Sequence, residues 1–215
     1  MLKGTQVLIG EDANAYESAC DILSLAALSA GYERVFLPSI WEAKTFEDKI
    51  QGETLQQMWK FKDKGDRDVC LVPEITGMIV EQYNEHWAKQ LPKPVKLYYL
   101  QKCYRYENPQ KGRLREFTQF GIEYLSPKTD EIDEELVKKV LEDVLETFLD
   151  DKYTWHDSVQ RGLGYYTTNG FEAECSILGT QKQIAGGGRY AEGIGWALGV
   201  ERLLLALDGE SSSVG

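Results

Sequence analysis

The sequence predicts an α+β fold, a mainly antiparallel sheet flanked by helices. Three observations carry this. Apolar residues recur at helical spacing over residues 14–32 and again over 127–151. Two β-rich runs, 95–107 and 116–125, flank a loop holding Pro109 and Gly112, as antiparallel partners do. The C-terminal stretch passes from a glycine-rich segment through a short strand into the helical run "GVERLLLAL".

Each element has its own warrant. Ala19, Ile22, Leu23, Leu25, Ala26 and Leu28 form the stripe of the first helix, and Gly31 stops it. "RVFLP" reads as a short strand closed by Pro38, and "DVCLVPE" as a buried strand. "TGMIVEQYNEHWAKQ" places Ile79, Tyr83 and His86 on one helical stripe, so His86 is expected to be packed rather than a metal ligand. The helix over 127–151 is expected to bury Ile132, Leu136, Val140, Leu141, Val144 and Phe148, its acidic residues forming a solvated face. "LGYYTTNGFEAEC" is a further strand, and "GGGRY" a glycine-rich turn. Residues 1–208 then form one domain, and "GESSSVG" at 209–215 has the composition of a flexible tail.

The bulk numbers exclude several function classes. A chain of 215 residues with 42% hydrophobic content can bury a core without disulfides or a structural metal. No apolar run is long enough to cross a membrane. Cys20, Cys70, Cys103 and Cys175 are scattered, which fits reduced thiols and a cytoplasmic location. His86 and His156 are the only histidines and stand far apart, so neither a zinc site nor a serine triad is expected, and no metal ligand is assigned. A net charge of -11 argues against broad nucleic-acid binding, which depends on neutralising phosphates. It leaves room for a local anion site. The loop in "YRYENPQKGRLREFTQFGIEY" gathers Lys111, Arg113 and Arg115 and is the best candidate.

Four segments in fixed order sharpen the reading: "LVPEITG", "YRYENPQKGRLREFTQFGIEY", "RGLGYYTTNGFE" and "GGGRY…GIGWALGVERLLLAL". Together they resemble the catalytic domain of class II aminoacyl-tRNA synthetases, and the histidyl branch most closely. "FLP" at Pro38 is similar to the first class-defining motif, the dimer element; the basic loop matches the second and "GVERLLLAL" the third. The resemblance implies ATP with Mg²⁺ as the nucleotide substrate and histidine as the amino acid. It implies that Arg105 grips the α-phosphate, Glu107 takes the adenine amino group and Phe117 stacks on the base. Arg113 and Arg202 would clamp the outer phosphates. Bidentate cations and a π-face are what a triphosphate needs. The plainer alternative for Arg105 and Arg202 is a surface ion pair.

Strand alternation adds a geometric reading. Phe117, Gln119, Gly121 and Glu123 share one face. Gln119 and Glu123, roughly 13 Å apart along the strand before their side chains lean inward, could hold opposite ends of one small molecule, with Gly121 leaving room between them. The resemblance implies that Gln119, Glu74 and Thr76 contact the ammonium end, that Glu123 and Tyr166 take the imidazole, and that Arg161 lies against the reacting carboxylate. Arg105, Arg161 and Arg202 are thus the expected catalytic charges. Tyr165 is expected to pack only.

The sequence also departs from the family pattern. The sequence stops soon after the third motif, so the family's anticodon-binding domain is expected to be absent, and the insertion before "RGLGYYT" is reduced. Gly164 and Ala191 stand where the family has aspartates, and Gly164 is expected to loosen the loop carrying Arg161. The expected function is ATP-dependent activation of histidine to histidyl-adenylate by a homodimer, with tRNA charging weakened. The alternatives are transfer to a non-tRNA acceptor and a catalytically silent, histidine-sensing regulatory paralogue.

Overall fold

The structure is a computed structural model that describes residues 1–50, 52–108, 112–160, 164–179 and 181–211. In chain order the strands are β1 (Glu33–Arg34), β2 (Ile40–Glu42), β3 (Lys60–Lys62), β4 (Asp68–Leu71), β5 (Val95–Tyr104), β6 (Glu116–Leu125), β7 (Thr154–Val159), β8 (Gly170–Glu174), β9 (Gln183–Tyr190) and β10 (Gly193–Gly199). The helices are α1 (Glu11–Ser29), α2 (Lys44–Glu47), α3 (Glu53–Gln56), α4 (Thr76–Gln82), α5 (Ala88–Gln90), α6 (Glu134–Leu149) and α7 (Val200–Ser211).

Seven strands form the main sheet in the order β1-β5-β6-β10-β9-β8-β7. All neighbours in it are antiparallel except β1, which lies parallel to β5. The expected pairing of the two β-rich runs holds from Val95↔Leu125 to Tyr104↔Glu116. The alternation of β6 divides the molecule into two cores. Phe120 and Ile122 face α1, α6 and α7, where Leu23, Leu141, Val144 and Leu203 close the first core. Tyr99 and Cys103 on β5 and Tyr190 on β9 face the other way, toward Phe46, Ile75 and Ile79. The candidate site opens on that second face. A small sheet, β2-β4-β3, lies beside it.

Several expectations are corrected. Helix α6 buries Val137, Leu141, Val144, Leu145 and Leu149, while Leu136 is 68% exposed. Of the expected stripe, Ile132, Leu141 and Val144 are buried, Val140 and Phe148 pack half-buried on the same core, and Leu136 alone faces out, its place taken by Val137. The helix from Thr76 stops at Gln82 and widens into a π-turn, Tyr83–Trp87. His86 sits on that turn exposed beside Glu85, not packed. The segment after β1 is extended, but only Glu33–Arg34 join the sheet. In "LGYYTTNGFEAEC", only Gly170–Glu174 form a strand.

The glycine run is strand β9, not a turn. A Cβ on Gly187 would stand 2.5 Å from the Trp196 Cβ, and one on Gly188 would stand 2.9 Å from the Tyr166 ring. Glycine is required there so that aromatic side chains can lie directly on the strand. Helix α7 extends through Ser211, into the stretch expected to be a tail; residues 212–215 lie outside the described residues.

Candidate active site

One cleft of about 380 Å³ gathers most of the expected residues. Glu74, Thr76, Arg105, Glu107, Arg113, Phe117, Gln119, Tyr166 and Arg202 all line it. They come from the β4–α4 turn, the β5–β6 hairpin, the turn before β8 and the start of α7. Arg161 lies outside the described residues.

The cleft has a cationic end. Arg105 leaves β5 and stacks over Phe117, 5.2 Å from the ring centroid, while its Nε donates to the Pro73 carbonyl at 2.9 Å. The terminal guanidinium nitrogens thus face a ring that itself borders the cleft. Arg113 Nε lies 3.5 Å from Glu107 Oε2, which also accepts from Gln57 Nε2 at 3.3 Å. Arg202 is tied to backbone carbonyls: Nε donates to Gln183 at 2.9 Å, Nη1 to Gly112 at 3.1 Å, and Nη2 to Gln181. Burial, and then the nearby Arg113 charge, lower its pKa. The Glu107 carboxylate, paired with Arg113, offsets part of this repulsion, and a bound anion would offset the rest. Neither Arg105 nor Arg202 forms an ion pair with a carboxylate among the described residues, which counts against the plainer alternative.

Glu201 fixes this end from behind. Strand β10 ends at Gly199, opposite Gln119, so the Thr118 amide has no strand partner. The Glu201 carboxylate accepts it instead, at 3.0 and 2.8 Å, and also accepts the Thr118 hydroxyl at 3.0 Å. Lys102 Nζ stands 3.4 Å away. The first turn of α7, and Arg202 with it, is thereby pinned to the strand that carries Phe117 and Gln119.

The other end is acidic and buried. Glu74 is 3% exposed and accepts from the Gly77 amide at 2.9 Å. Burial raises its pKa, and the Gly77 amide and the Arg105 and Lys49 charges oppose the rise. Glu123 is fully buried and does not reach the cleft wall. Its two oxygens accept from Thr76 Oγ1 and from the Tyr190 hydroxyl, each at 2.6 Å. Burial pushes its pKa up to about 8, against the Thr76 and Tyr190 hydrogen bonds; nearby Glu74 adds to the rise. Thr76 stands between Glu123 and the cleft.

Three residues at this end escaped the sequence reading. Tyr165, expected only to pack, lines the cleft and donates to Glu74 Oε2 at 3.5 Å. Tyr190 holds Glu123. Tyr99 occupies the space under Gly121, its hydroxyl against the point where a Cβ would stand. Gly121 therefore makes room for Tyr99 rather than for a ligand. An alternating strand signals which face a residue takes, but not which aromatic from the neighbouring strand fills a glycine gap; the Tyr99↔Gly121 register decides that. The Gly164 amide donates to the Lys49 carbonyl at 2.8 Å, while the loop carrying Arg161, where loosening is expected, lies outside the described residues.

The sequence profile described as histidyl-tRNA synthetase matches residues 4–150, most of the chain. The chain belongs to the histidyl-tRNA synthetase family. It is 38% identical to the histidine–tRNA ligase of Sulfolobus acidocaldarius over 136 residues, 63% of this chain and 32% of that protein. It thus spans about a third of that relative's length. Apo histidyl-tRNA synthetase from S. aureus superimposes with a TM-score of 0.78 at 26% identity, covering 98% of this chain and 70% of that one. A Bacillus halodurans protein titled as an ATP phosphoribosyltransferase regulatory subunit/histidyl-tRNA synthetase shares the fold at TM-score 0.78 and 15% identity, covering 95% and 82% of the two chains. The class II synthetase core expected from the sequence is the fold observed.

Proposed function

We propose that this histidyl-tRNA synthetase family member activates histidine with ATP to give histidyl-adenylate. The observation that carries the reading is one cleft with the guanidiniums of Arg105, Arg113 and Arg202 at one end and the buried carboxylate of Glu74 at the other, with Glu123 behind Thr76. A triphosphate fits the first end and an α-ammonium group the second. Arg105 grips the α-phosphate, Phe117 stacks on adenine and Glu107 takes its amino group. Arg113 and Arg202 clamp the outer phosphates. Magnesium is part of the nucleotide substrate, travelling with the β- and γ-phosphates.

Glu74 and Gln119 hold the ammonium with Thr76, and Tyr165 joins them through its bond to Glu74. Glu123 accepts from the imidazole, and Tyr166 is the ring's other partner. For the ring to reach Glu123, the Thr76 hydroxyl must give way, exchanging one donor for another. The histidine carboxylate then attacks the α-phosphorus in line and pyrophosphate leaves. The protein contributes position and charge, Arg105 and Arg161 neutralising the reacting phosphoryl group.

We also propose a homodimer built on the first-motif region, where Leu28 is 51% and Phe36 77% exposed. The acceptor is tRNA, bound weakly by an acidic chain, or a non-tRNA nucleophile. The regulatory reading has the fold shared with the Bacillus halodurans protein in its favour. It gives no role to Arg105, Arg113 and Arg202 in one cleft. Pyrophosphate exchange with each of the twenty amino acids decides between them. Exchange with histidine alone is expected; no exchange, with histidine still bound, would establish the regulatory reading.

A further inference from the structure

Tyr99 stands on β5 directly opposite Gly121. Because Gly121 has no Cβ, the Tyr99 ring crosses to β6 and its hydroxyl comes to rest over that glycine. It lies on the strand face shared by Gln119 and Glu123, between the two. The side chain is 1% exposed. Its hydroxyl makes no hydrogen bond among the described residues. A buried hydroxyl without a partner has given up water and gained nothing in exchange. Phenylalanine would fill the same space without that cost.

The neighbours give the hydroxyl a use. Thr76 stands beside it without bonding to it, because Thr76 donates to Glu123 Oε1 at 2.6 Å. The Tyr190 hydroxyl donates to the other oxygen, Oε2. Burial, then the Glu123 and Glu74 charges, push the Tyr99 pKa well up, with Thr76 opposing the rise, so the hydroxyl keeps its proton. A protonated phenol both donates and accepts, and each carboxylate oxygen has lone pairs for two donors.

We propose that Tyr99 completes a one-way hydrogen-bond chain when histidine binds: the α-ammonium donates to Thr76, Thr76 to Tyr99, and Tyr99 to Glu123, which also accepts from the imidazole. Tyr99 is thus a positioning residue that acts through Thr76 and Glu123. The inference rests on the histidine reading and says what becomes of Thr76 once the ring has displaced it. Thr76 exchanges one acceptor for another, and its oxygen is left free to accept from the ammonium. Tyr99 gains both bonds that it lacks. The chain joins the two ends of the amino acid, so each end strengthens the hold on the other. An amino acid whose side chain leaves Thr76 on Glu123 gains none of this.

Tyr99→Phe tests the chain, since it removes the hydroxyl and keeps the ring in the second core. Calorimetry with histidine and with ATP is run above about pH 8, where Glu123 is ionised. The thermal midpoint is measured without ligand. The expected result is a split. The dissociation constant for histidine rises about tenfold, that for ATP is unchanged, and the thermal midpoint does not fall. A hydroxyl with a purely structural role would lower the midpoint and leave both affinities alone, and that result would overturn the inference. On a Thr76→Val background the same change should weaken histidine binding by clearly less than tenfold, because the chain is already broken. Equal losses on both backgrounds would overturn the chain. A wild-type chain that binds no histidine would overturn this inference together with the histidine reading. Wild type and Tyr99→Phe binding histidine equally well would overturn the role of Tyr99 and leave that reading standing.

Discussion

At the scale of single residues, Glu123 carries the most specific consequence. Its carboxylate is bonded by two hydroxyls in a fully buried setting, where an imidazole N–H would exchange for one of them. Above about pH 8, where the carboxylate is ionised, replacing it by glutamine removes a charge-assisted bond worth on the order of 1.5–3 kcal/mol, so histidine affinity there should fall about ten- to a hundredfold while ATP affinity holds. Calorimetry with each ligand measures both; undiminished histidine binding would reassign the ring contact. The same residue gives a pH signature. Its folded pKa, about 8, stands above the ordinary carboxylate value, so between the two the folded state holds a proton that the unfolded chain has released. Its contribution to stability is therefore full below the unfolded value and is lost as pH rises toward 8. Chemical denaturation of the ligand-free protein across that window should show Glu123→Gln with a flatter profile than wild type; parallel profiles would mean that the group ionises freely in the fold. Arg105→Ala acts at the other end of the cleft. It should abolish pyrophosphate exchange while histidine still binds, and retained exchange would remove Arg105 from the reaction.

At the scale of elements, the informative joint is between β6 and α7. The face of β6 was legible in the sequence, because alternation alone puts Phe117 and Gln119 on one side and Thr118 on the other. What Thr118 does there was not legible. Its amide needs an acceptor where β10 has ended, and that acceptor is a side chain from the next element. Strand ends are set by three-dimensional register, which no local pattern records. The glycine run misled for a related reason: glycine marks a turn or a close approach equally well, and only the aromatic rings over β9 choose between them. The cleft residues on strongly patterned segments were thus readable, and the buried tyrosines that cross-strand neighbours place behind the cleft, Tyr99 and Tyr190, were not. The joint makes its own prediction. Glu201→Gln keeps one oxygen for the Thr118 amide but loses the charge facing Lys102, so Arg202 is held less firmly. The KM for ATP in pyrophosphate exchange should rise several-fold with the KM for histidine little changed. A parallel rise in both would mean that Glu201 supports the whole cleft rather than its phosphate end.

At the scale of the whole molecule, charge is the governing quantity. The chain carries 35 acidic and 24 basic residues, and the conspicuous cations of the cleft are turned inward on a triphosphate-sized space. Arg105, Arg113 and Arg202 cannot serve a substrate nucleotide and a long polyanion at once. On the outer surface several lysines are engaged by neighbouring acids, as Lys62 is by Asp68, Lys128 by Glu131 and Lys139 by Asp143. Affinity for nucleic acid grows with the number of phosphates that free cations neutralise, and falls steeply with added salt. This chain should accordingly bind tRNA weakly at physiological ionic strength, with little response to changes in the anticodon. If it charges tRNA, contact with the acceptor end near the cleft should govern the rate. Filter binding and charging assays with intact tRNA, an anticodon-substituted tRNA and an acceptor-stem minihelix separate the cases. Near-equal, weak use of all three is expected. Efficient charging of intact tRNA that anticodon changes abolish would mean that a surface of this acidic domain reads the anticodon, and the charge argument would fail.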